Sequence, residues 1–442
     1  MAILGTKRRT IAITGTVRSG KTVFLTSLIN HLLEHEPGRF NFANGAKITN
    51  AKIVPVPQDS HFNYEGYRDA LSRGREWPRK TQDSSHFTLT FDRSDWRAWR
   101  SELHFFDFPG ERIADTAIMA HADYGQWADF VLQHLENFEE YRRLSADYFE
   151  TVRRPSIGAT DITAAYRALM WRLYTNYMPM ISPSTFLLDL DGGMITGEAD
   201  LPARHSGLPP DPKGVPGEFA PLPGPQRLEN PEMAALFQKN YTAYRKMVVQ
   251  PLFNDLRRSH ALVVLVNIPE LLAGGVGRFN DTRKIVGDLL AEYDPSTNTL
   301  LKSLWRAMTL DGTRTDRIAF VASQSDLVLG PDRDRLHSLL RQMTKRFADS
   351  LGNIRADWFT ASAVVSTDTV SGKDSLVGAP ISLENPERKN WEFAVPKLPE
   401  AWPDDWNPDA YRFTRVWPRV PKNILIAPDH NNLDRIFDFI TK

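Results

Sequence analysis

Thr10-Ile11-Ala12-Ile13-Thr14-Gly15-Thr16-Val17-Arg18-Ser19-Gly20-Lys21-Thr22 is the stretch on which the reading of this chain turns. Its first residues are β-branched or small and apolar, as a strand requires. From Gly15 the chain matches G-x-x-x-x-G-K-[ST], with Gly15, Gly20, Lys21 and Thr22 at the fixed positions. Beyond it, Val23, Phe24, Leu25, Leu28, Ile29, Leu32 and Leu33 recur at helical spacing. The order is therefore strand, phosphate loop, helix. The spacing has a physical cause, because glycines let the backbone wrap inward until successive N–H groups and the helix N-terminus face an anion. Gly15, Val17, Arg18, Ser19, Gly20, Lys21, Thr22 and Val23 are the expected nucleotide-binding residues. Lys21 is expected to reach the β- and γ-phosphates, and Thr22 to offer its hydroxyl to Mg²⁺.

The rest of the composition narrows the class. The chain has 442 residues, 41% of them hydrophobic, enough for a sizeable core and for two or three domains. Lys and Arg number 54 against 54 Asp and Glu, so no global charge draws the chain toward nucleic acid, and no nucleic-acid partner is expected. The chain has no cysteine, which excludes disulfides, thiolate metal sites and cysteine nucleophiles. Residues 1–9 hold no apolar segment of signal-peptide length, and no later run approaches the ~18 residues that cross a bilayer. A soluble cytoplasmic protein is expected, with peripheral membrane contact left open. Its histidines form no H-E-x-x-H pair and no H-x₃-H pair within a helical pattern, since His35 of the His31/His35 spacing falls beyond Leu33, so no transition-metal site is expected.

Along the chain, residues 37–80 are irregular in pattern, and 86–91 and 103–106 then suit a strand hairpin. Trp127, Phe130, Val131, Leu135, Phe138, Tyr141, Leu144, Tyr148 and Val152 predict one long helix with an apolar face. A second helix carries Ile162, Leu169, Leu173 and Tyr177. After a Gly/Pro-rich loop, a third begins with Pro231 in its first turn. Residues 112–257 thus read as a large all-helical insertion domain in a nucleotide-binding domain made of 1–111 and 258–442. The unbroken apolar run 261–266 predicts a parallel strand covered on both faces, and strands follow at 318–322 and 358–360, with a helix through Leu336, Leu339, Leu340, Met343 and Phe347 between them. The fold class is α/β, a doubly wound, mostly parallel sheet, with an irregular Pro/Trp-rich extension over 369–428. Trp391, Trp402, Trp406 and Trp417 are expected to pin that extension onto the sheet. Gly274-Gly275-Val276-Gly277 reads as an ordinary loop.

Asp107-Phe108-Pro109-Gly110 ends an apolar strand, the place where a phosphate-loop protein needs a carboxylate for the Mg²⁺ shell. Gly110 would give its N–H to the γ-phosphate, a hydrogen bond that ends with hydrolysis.

Together these pieces resemble the TRAFAC class of Ras-like GTPases, and the helical stretch with the Pro/Trp-rich extension resembles the YcjX family of bacterial GTPases over most of the chain. The resemblance implies a Ras-like G domain with GTP or GDP and Mg²⁺ as ligands. It also implies a GTP-hydrolysing switch in the stress response and a regulatory protein as partner. By this resemblance Thr81 binds Mg²⁺ and the γ-phosphate, making Thr22, Thr81 and Asp107 the metal-binding set. The base-reading motif falls on Ser323-Gln324-Ser325-Asp326, followed by Leu327, and the fifth motif on Ser362-Ala363, followed by Val364. Asp326 is acceptor-only and so suits guanine N1–H and its N2 amino group, whereas adenine presents an acceptor at N1. The lysine of that motif is replaced by Gln324, which predicts modest guanine affinity. Glu111 stands where the class carries a water-positioning glutamine, so slow turnover is expected, and Arg112, Arg153 and Arg154 are candidate arginine fingers. The catalytic set is Lys21, Thr22, Thr81, Asp107, Gly110 and Glu111. Two other readings stand beside it: an ATPase or other phosphate-loop nucleotide hydrolase, favoured by the missing lysine, and a scaffold with a structural nucleotide.

Overall fold

A computed structural model gives the fold, and it describes residues 7–16, 18–42, 44–54, 62–78, 85–95, 100–108, 115–121, 123–137, 139–176, 178, 217–291, 315–421, 423 and 426–442. The opening stretch forms β1 (Lys7–Gly15), a tight turn and α1 (Lys21–Leu33). The segment of irregular pattern contains β2 (Ile48–Val54) and the short helix α2 (Tyr64–Asp69). Next come β3 (Ser85–Arg93) and β4 (Arg100–Asp107), paired antiparallel as the hairpin reading expects. Helices then follow: α3 (Thr116–Ala120), α4 (Tyr124–Asn137), α5 (Glu139–Val152), α6 (Ala159–Thr175), α7 (Gly224–Glu229), α8 (Pro231–Tyr244) and α9 (Gln250–Arg258). The chain returns to the sheet with β5 (Ala261–Val266), α10 (Ile268–Ala291), β6 (Arg317–Ala322), α11 (Arg333–Ala348) and β7 (Arg355–Thr360). A small antiparallel sheet of β8 (Asp368–Thr369), β9 (Ser375–Gly378) and β10 (Trp391–Ala394) precedes α12 (Leu433–Thr441).

Among the described residues the large sheet has seven strands in the order β2-β3-β4-β1-β5-β6-β7. From β4 to β7 all pairings are parallel, and β2 and β3 run antiparallel at one side. Each buried strand serves two cores by alternation. Ile11, Ile13, Val263, Leu265 and Val321 face α1 and α12, where they join Leu28, Leu32, Ile436 and Ile440. Ala12, Leu262, Val264, Ile318 and Phe320 face the other way and join Leu289, Leu336 and Leu340 of α10 and α11. All of β5 is fully buried, which explains its unbroken apolar run. A buried Val or Leu contributes roughly 1.5–3 kcal/mol, so such a strand anchors the sheet.

The register lines up the C-terminal ends of the parallel strands. Ile13 lies beside Asp107, Gly15 beside Leu265, Val266 beside Ala322, and Ala322 beside Thr360. The chain leaves β1 for α1 on one face and β5 for α10 on the other. That divergence opens a crevice at the strand ends, where open α/β sheets bind ligands.

Several details differ from the sequence reading. The helix expected over 127–152 is two helices, α4 and α5, with Phe138 between them outside the described residues. Asn137 is a poor helix residue, and Glu139 and Glu140 favour a new N-terminus. The third helix does begin at Pro231. Residues 217–222 run as a buried segment through the helices, and side chains satisfy their backbone. Tyr124 Oη donates to the Ala220 carbonyl at 2.6 Å, Tyr148 Oη to Pro221 at 2.8 Å, and Asn240 Nδ2 to Glu218 at 2.8 Å. One apolar cluster runs from the sheet through Phe106, Phe108 and Phe253 into these helices.

Gly274 to Gly277 lie within α10, which breaks at Gly275, φ 78° and ψ 178°. Trp402 and Trp406 fasten the extension to helices instead of the sheet, whereas Trp391 is exposed at the start of β10 and Trp417 lies under the Arg388 guanidinium at 4.1 Å. Trp402 stacks on Phe279 at 4.1 Å and donates Nε1 to the Leu339 carbonyl of α11 at 2.8 Å. Trp406 donates Nε1 to Leu272 of α10 at 2.7 Å. Among the described residues no helix is long and apolar enough to cross a membrane.

Candidate functional site

The loop after β1 is shaped by positions that tolerate little substitution. A Cβ on Gly15 would sit 2.3 Å from the Leu265 carbonyl oxygen, so β1 approaches β5 only because no side chain is there. Gly20 holds φ 79°, in the left-handed region that glycine adopts at no steric penalty. Arg18 holds φ 61° without that freedom, a strain of roughly 1–2 kcal/mol.

Neighbouring strand ends hold the loop in place. Thr16 N–H donates to Leu265 O at 2.9 Å and Ser19 N–H to Thr16 O at 3.1 Å. Two side-chain amides converge on the Arg18 carbonyl: Asn267 Nδ2, just past β5, at 3.2 Å, and Gln324 Nε2, just past β6, at 2.8 Å. The residue in the lysine's place is thus a tether between the candidate base motif and the loop. At the start of α1 no side chain among the described residues caps the helix, and no acidic residue occupies the first turn. The positive end of the helix dipole and the first-turn N–H groups, which have no acceptor within the helix, are left to serve an anion. The buried Ser19 Oγ has no hydrogen-bond partner among the described residues.

A cavity of about 290 Å³ opens over this loop. Arg18, Ser19, Gly20, Lys21, Thr22 and Val23 line it, and so do Gln324, Asp326 and Leu327 after β6 and Ser362, Ala363 and Val364 after β7. Three separate sequence motifs therefore meet in one space. Gly15 lies beneath it at the end of β1, and Asp107 ends β4 beside β1, almost fully buried, where the next residue's N–H donates to Ile13 O at 2.8 Å. Val17, Thr81, Gly110, Glu111 and Arg112 lie outside the described residues. Arg153 and Arg154 are exposed just beyond α5, and Arg154 pairs with Glu150 at 2.9 Å, so neither lines the cavity.

Asp326 is the buried acid of the site. Ser362 Oγ donates to its Oδ1 at 2.7 Å and the Ser366 N–H to its Oδ2 at 2.9 Å, while its own N–H donates to Ser362 Oγ at 2.8 Å. Burial pushes its carboxyl above the usual carboxylate range, against the pull of the hydrogen bonds from Ser362 and Ser366. Each oxygen accepts one of these bonds and keeps further acceptor capacity. Ser27 Oγ of α1 donates to the Ala363 carbonyl at 2.6 Å, tying the loop after β7 to the helix that begins at Lys21.

The site also uses residues that sequence reasoning missed. Asn267 caps α10, its Oδ1 accepting from the Glu270 N–H at 3.1 Å, and Glu270 lines the cavity. The signal was present, since Asn267-Ile268-Pro269-Glu270 after a strand is a capping pattern. Trp77, Phe413, Arg415 and Val416 form another wall, and Trp77 Nε1 donates to Val416 O at 2.7 Å. Arg388 secures that wall, donating to the carbonyls of Gly74 at 2.9 Å and Arg75 at 2.8 Å. No local pattern marks these contacts, which join residues more than three hundred positions apart.

Comparison with known proteins places the chain among relatives. A family profile described as "YcjX-like family, DUF463" matches residues 10–442. The chain is similar to "Ras-like GTPase YcjX" of Escherichia coli (strain K12), at 24% identity over 366 residues, covering 75% of this chain and 72% of that protein. It is also similar to "Ras-like GTPase YcjX" of Shewanella oneidensis, at 23% identity over 476 residues, covering 97% of this chain and 93% of that protein.

Proposed function

The chain belongs to the YcjX-like family, and on that premise we propose that it binds and hydrolyses GTP as a molecular switch. The single observation that carries the reading is the cavity in which Lys21 and Thr22 of the phosphate loop share one space with the buried Asp326. A triphosphate lies along the loop with the α1 N-terminus and Lys21 as counter-charges. Its base extends to Asp326, whose free acceptor capacity takes the N1–H and N2 amino group of guanine. The names of both relatives support the same class of reaction.

The donors suit Mg²⁺, a hard cation that prefers oxygen and is commonly held by one or two protein oxygens together with phosphates. Thr22 supplies a hydroxyl, Asp107 a carboxylate at the neighbouring strand end, and Thr81 a second hydroxyl. When bound, the ion neutralises charge on the transferred phosphoryl group. Thr81 and Gly110 hold the γ-phosphate until hydrolysis removes it, and Glu111 in place of a glutamine keeps turnover slow. Residues 112–257 move as a helical body when that hold is released.

An ATPase is the second reading, favoured by Gln324 in the lysine's position. Titration calorimetry and turnover with GTP and ATP on the purified chain separate the two. GTP is expected to bind more tightly, and Asp326→Asn to weaken GTP and GDP at least about tenfold, the scale of a missing charge-assisted bond pair, with ATP nearly unchanged. Tighter binding of ATP by the wild type would overturn the guanine assignment.

A further inference from the structure

Arg18 is held in a way that an ordinary loop residue does not require. Its φ of 61° is one that glycine adopts without strain, so the chain keeps a strained arginine where a simpler residue would serve the turn. Strain retained at a ligand cavity points to a use for the side chain. The two amides from Asn267 and Gln324 pin the Arg18 carbonyl, making the backbone a fixed pivot.

The side chain reaches a shared carboxylate at the cavity. Arg18 lines the cavity beside Lys21, and its Nη1 lies 3.3 Å from Glu270 Oε1. Arg278 approaches the same oxygen at 3.5 Å, so two guanidinium groups share one carboxylate oxygen at long range. Arg18 and Glu270 are each about a quarter exposed, at 24% and 26%. A pair of this kind contributes little and is readily exchanged for a stronger anion. A phosphate group, which an arginine fork meets in bidentate fashion, is such an anion.

We propose that Arg18 is a catalytic residue that leaves Glu270 and donates to the phosphate oxygens as charge builds on them, so that the chain supplies its own transition-state arginine. The proposal rests on the hydrolase reading above. In the step it serves, a water oxygen bonds to the γ-phosphorus while the bond from that phosphorus to the β–γ bridging oxygen breaks. The electron pair stays on the β-phosphate and the water's protons pass to phosphate oxygen and solvent, giving the nucleoside diphosphate and inorganic phosphate. Arg18 stays protonated throughout and meets the negative charge on the bridging and γ oxygens.

Arg18→Gly relieves the backbone strain, so the variant should fold, and thermal unfolding checks that it does. The full chain is assayed for kcat at saturating GTP, for GDP affinity, and for capture of GDP with aluminium fluoride, a transition-state mimic. The expected result is a kcat at least about 100-fold lower, GDP affinity within about fivefold, and loss of the fluoride complex. Arg18→Lys, which keeps the charge and loses the fork, should recover only part of the rate. An active wild type with an equally active Arg18→Gly overturns this proposal alone, and so does a rate loss matched by an equal loss of GDP affinity. A wild type that hydrolyses no nucleoside triphosphate overturns the hydrolase reading and this proposal with it.

Discussion

On the proposed guanine reading, the carboxyl of Asp326 would link base recognition to pH. Burial raises its pKa, whereas hydrogen bonds from guanine N1–H and N2 favour the ionised form and pull it back down. Binding should therefore release a proton when the pH lies between the two values, and guanine affinity should climb as pH rises through the raised pKa of the free protein. Calorimetry with GDP across a pH series, in buffers of different ionisation enthalpy, measures that proton directly. Asp326→Asn should abolish the release, and an unchanged release in that variant would mean another group titrates. The same residue shows why part of the site was legible. Gly15 to Thr22 lie in one local run that can be read from its spacing, and Asp326 ends a short segment at a strand end that the family resemblance singles out. Arg415 and Trp77 reach the cavity through the tertiary fold, and no spacing records that.

Among the elements, the junction of β1 and β5 is the tightest part of the site. Gly15→Ala puts a Cβ 2.3 Å from a backbone oxygen that has no rotamer to give way, so the strands must separate. The expected outcome is a lower thermal midpoint together with loss of both GTP and ATP binding, measured by calorimetry; a variant that binds normally would show that the junction yields more easily than its geometry suggests. Elements buried on both faces were the most readable. β5 and β6 appear as unbroken apolar runs because each serves two cores. β2 was missed because it is an edge strand with its residues mostly half-buried or exposed, so Ile48-Thr49-Asn50-Ala51-Lys52-Ile53-Val54 carries no clean alternation. The split between α4 and α5 was missed because the apolar stripe continues across it and only Asn137 marks the stop.

Over the whole molecule, the switch reading makes a claim about motion. Peptides covering 75–85 and 110–127 should gain hydrogen-exchange protection with a GTP analogue and lose it with GDP, because the γ-phosphate bonds of Thr81 and Gly110 exist in one state only. Identical protection in both states would leave a plain hydrolase or a structural ligand as the better account. The clasp of Arg388 on Gly74 and Arg75 bears on the same measurement, since it holds the approach to Thr81 against the extension. Arg388→Ala should therefore raise exchange over 75–85 in both nucleotide states.

The way the chain closes on itself also governs its biosynthesis. β1 is among the first of these elements to leave the ribosome, yet it sits mid-sheet, flanked by β4 and by β5, which is made much later. Its Arg9 donates to the Ile440 carbonyl 431 residues further on, and α12 covers the same apolar face as α1. Translation delivers residues one after another, so the nascent phosphate loop waits with its strand unpaired on one side and its core uncovered. The cavity over the phosphate loop is therefore complete only once its wall at 413–416 has emerged.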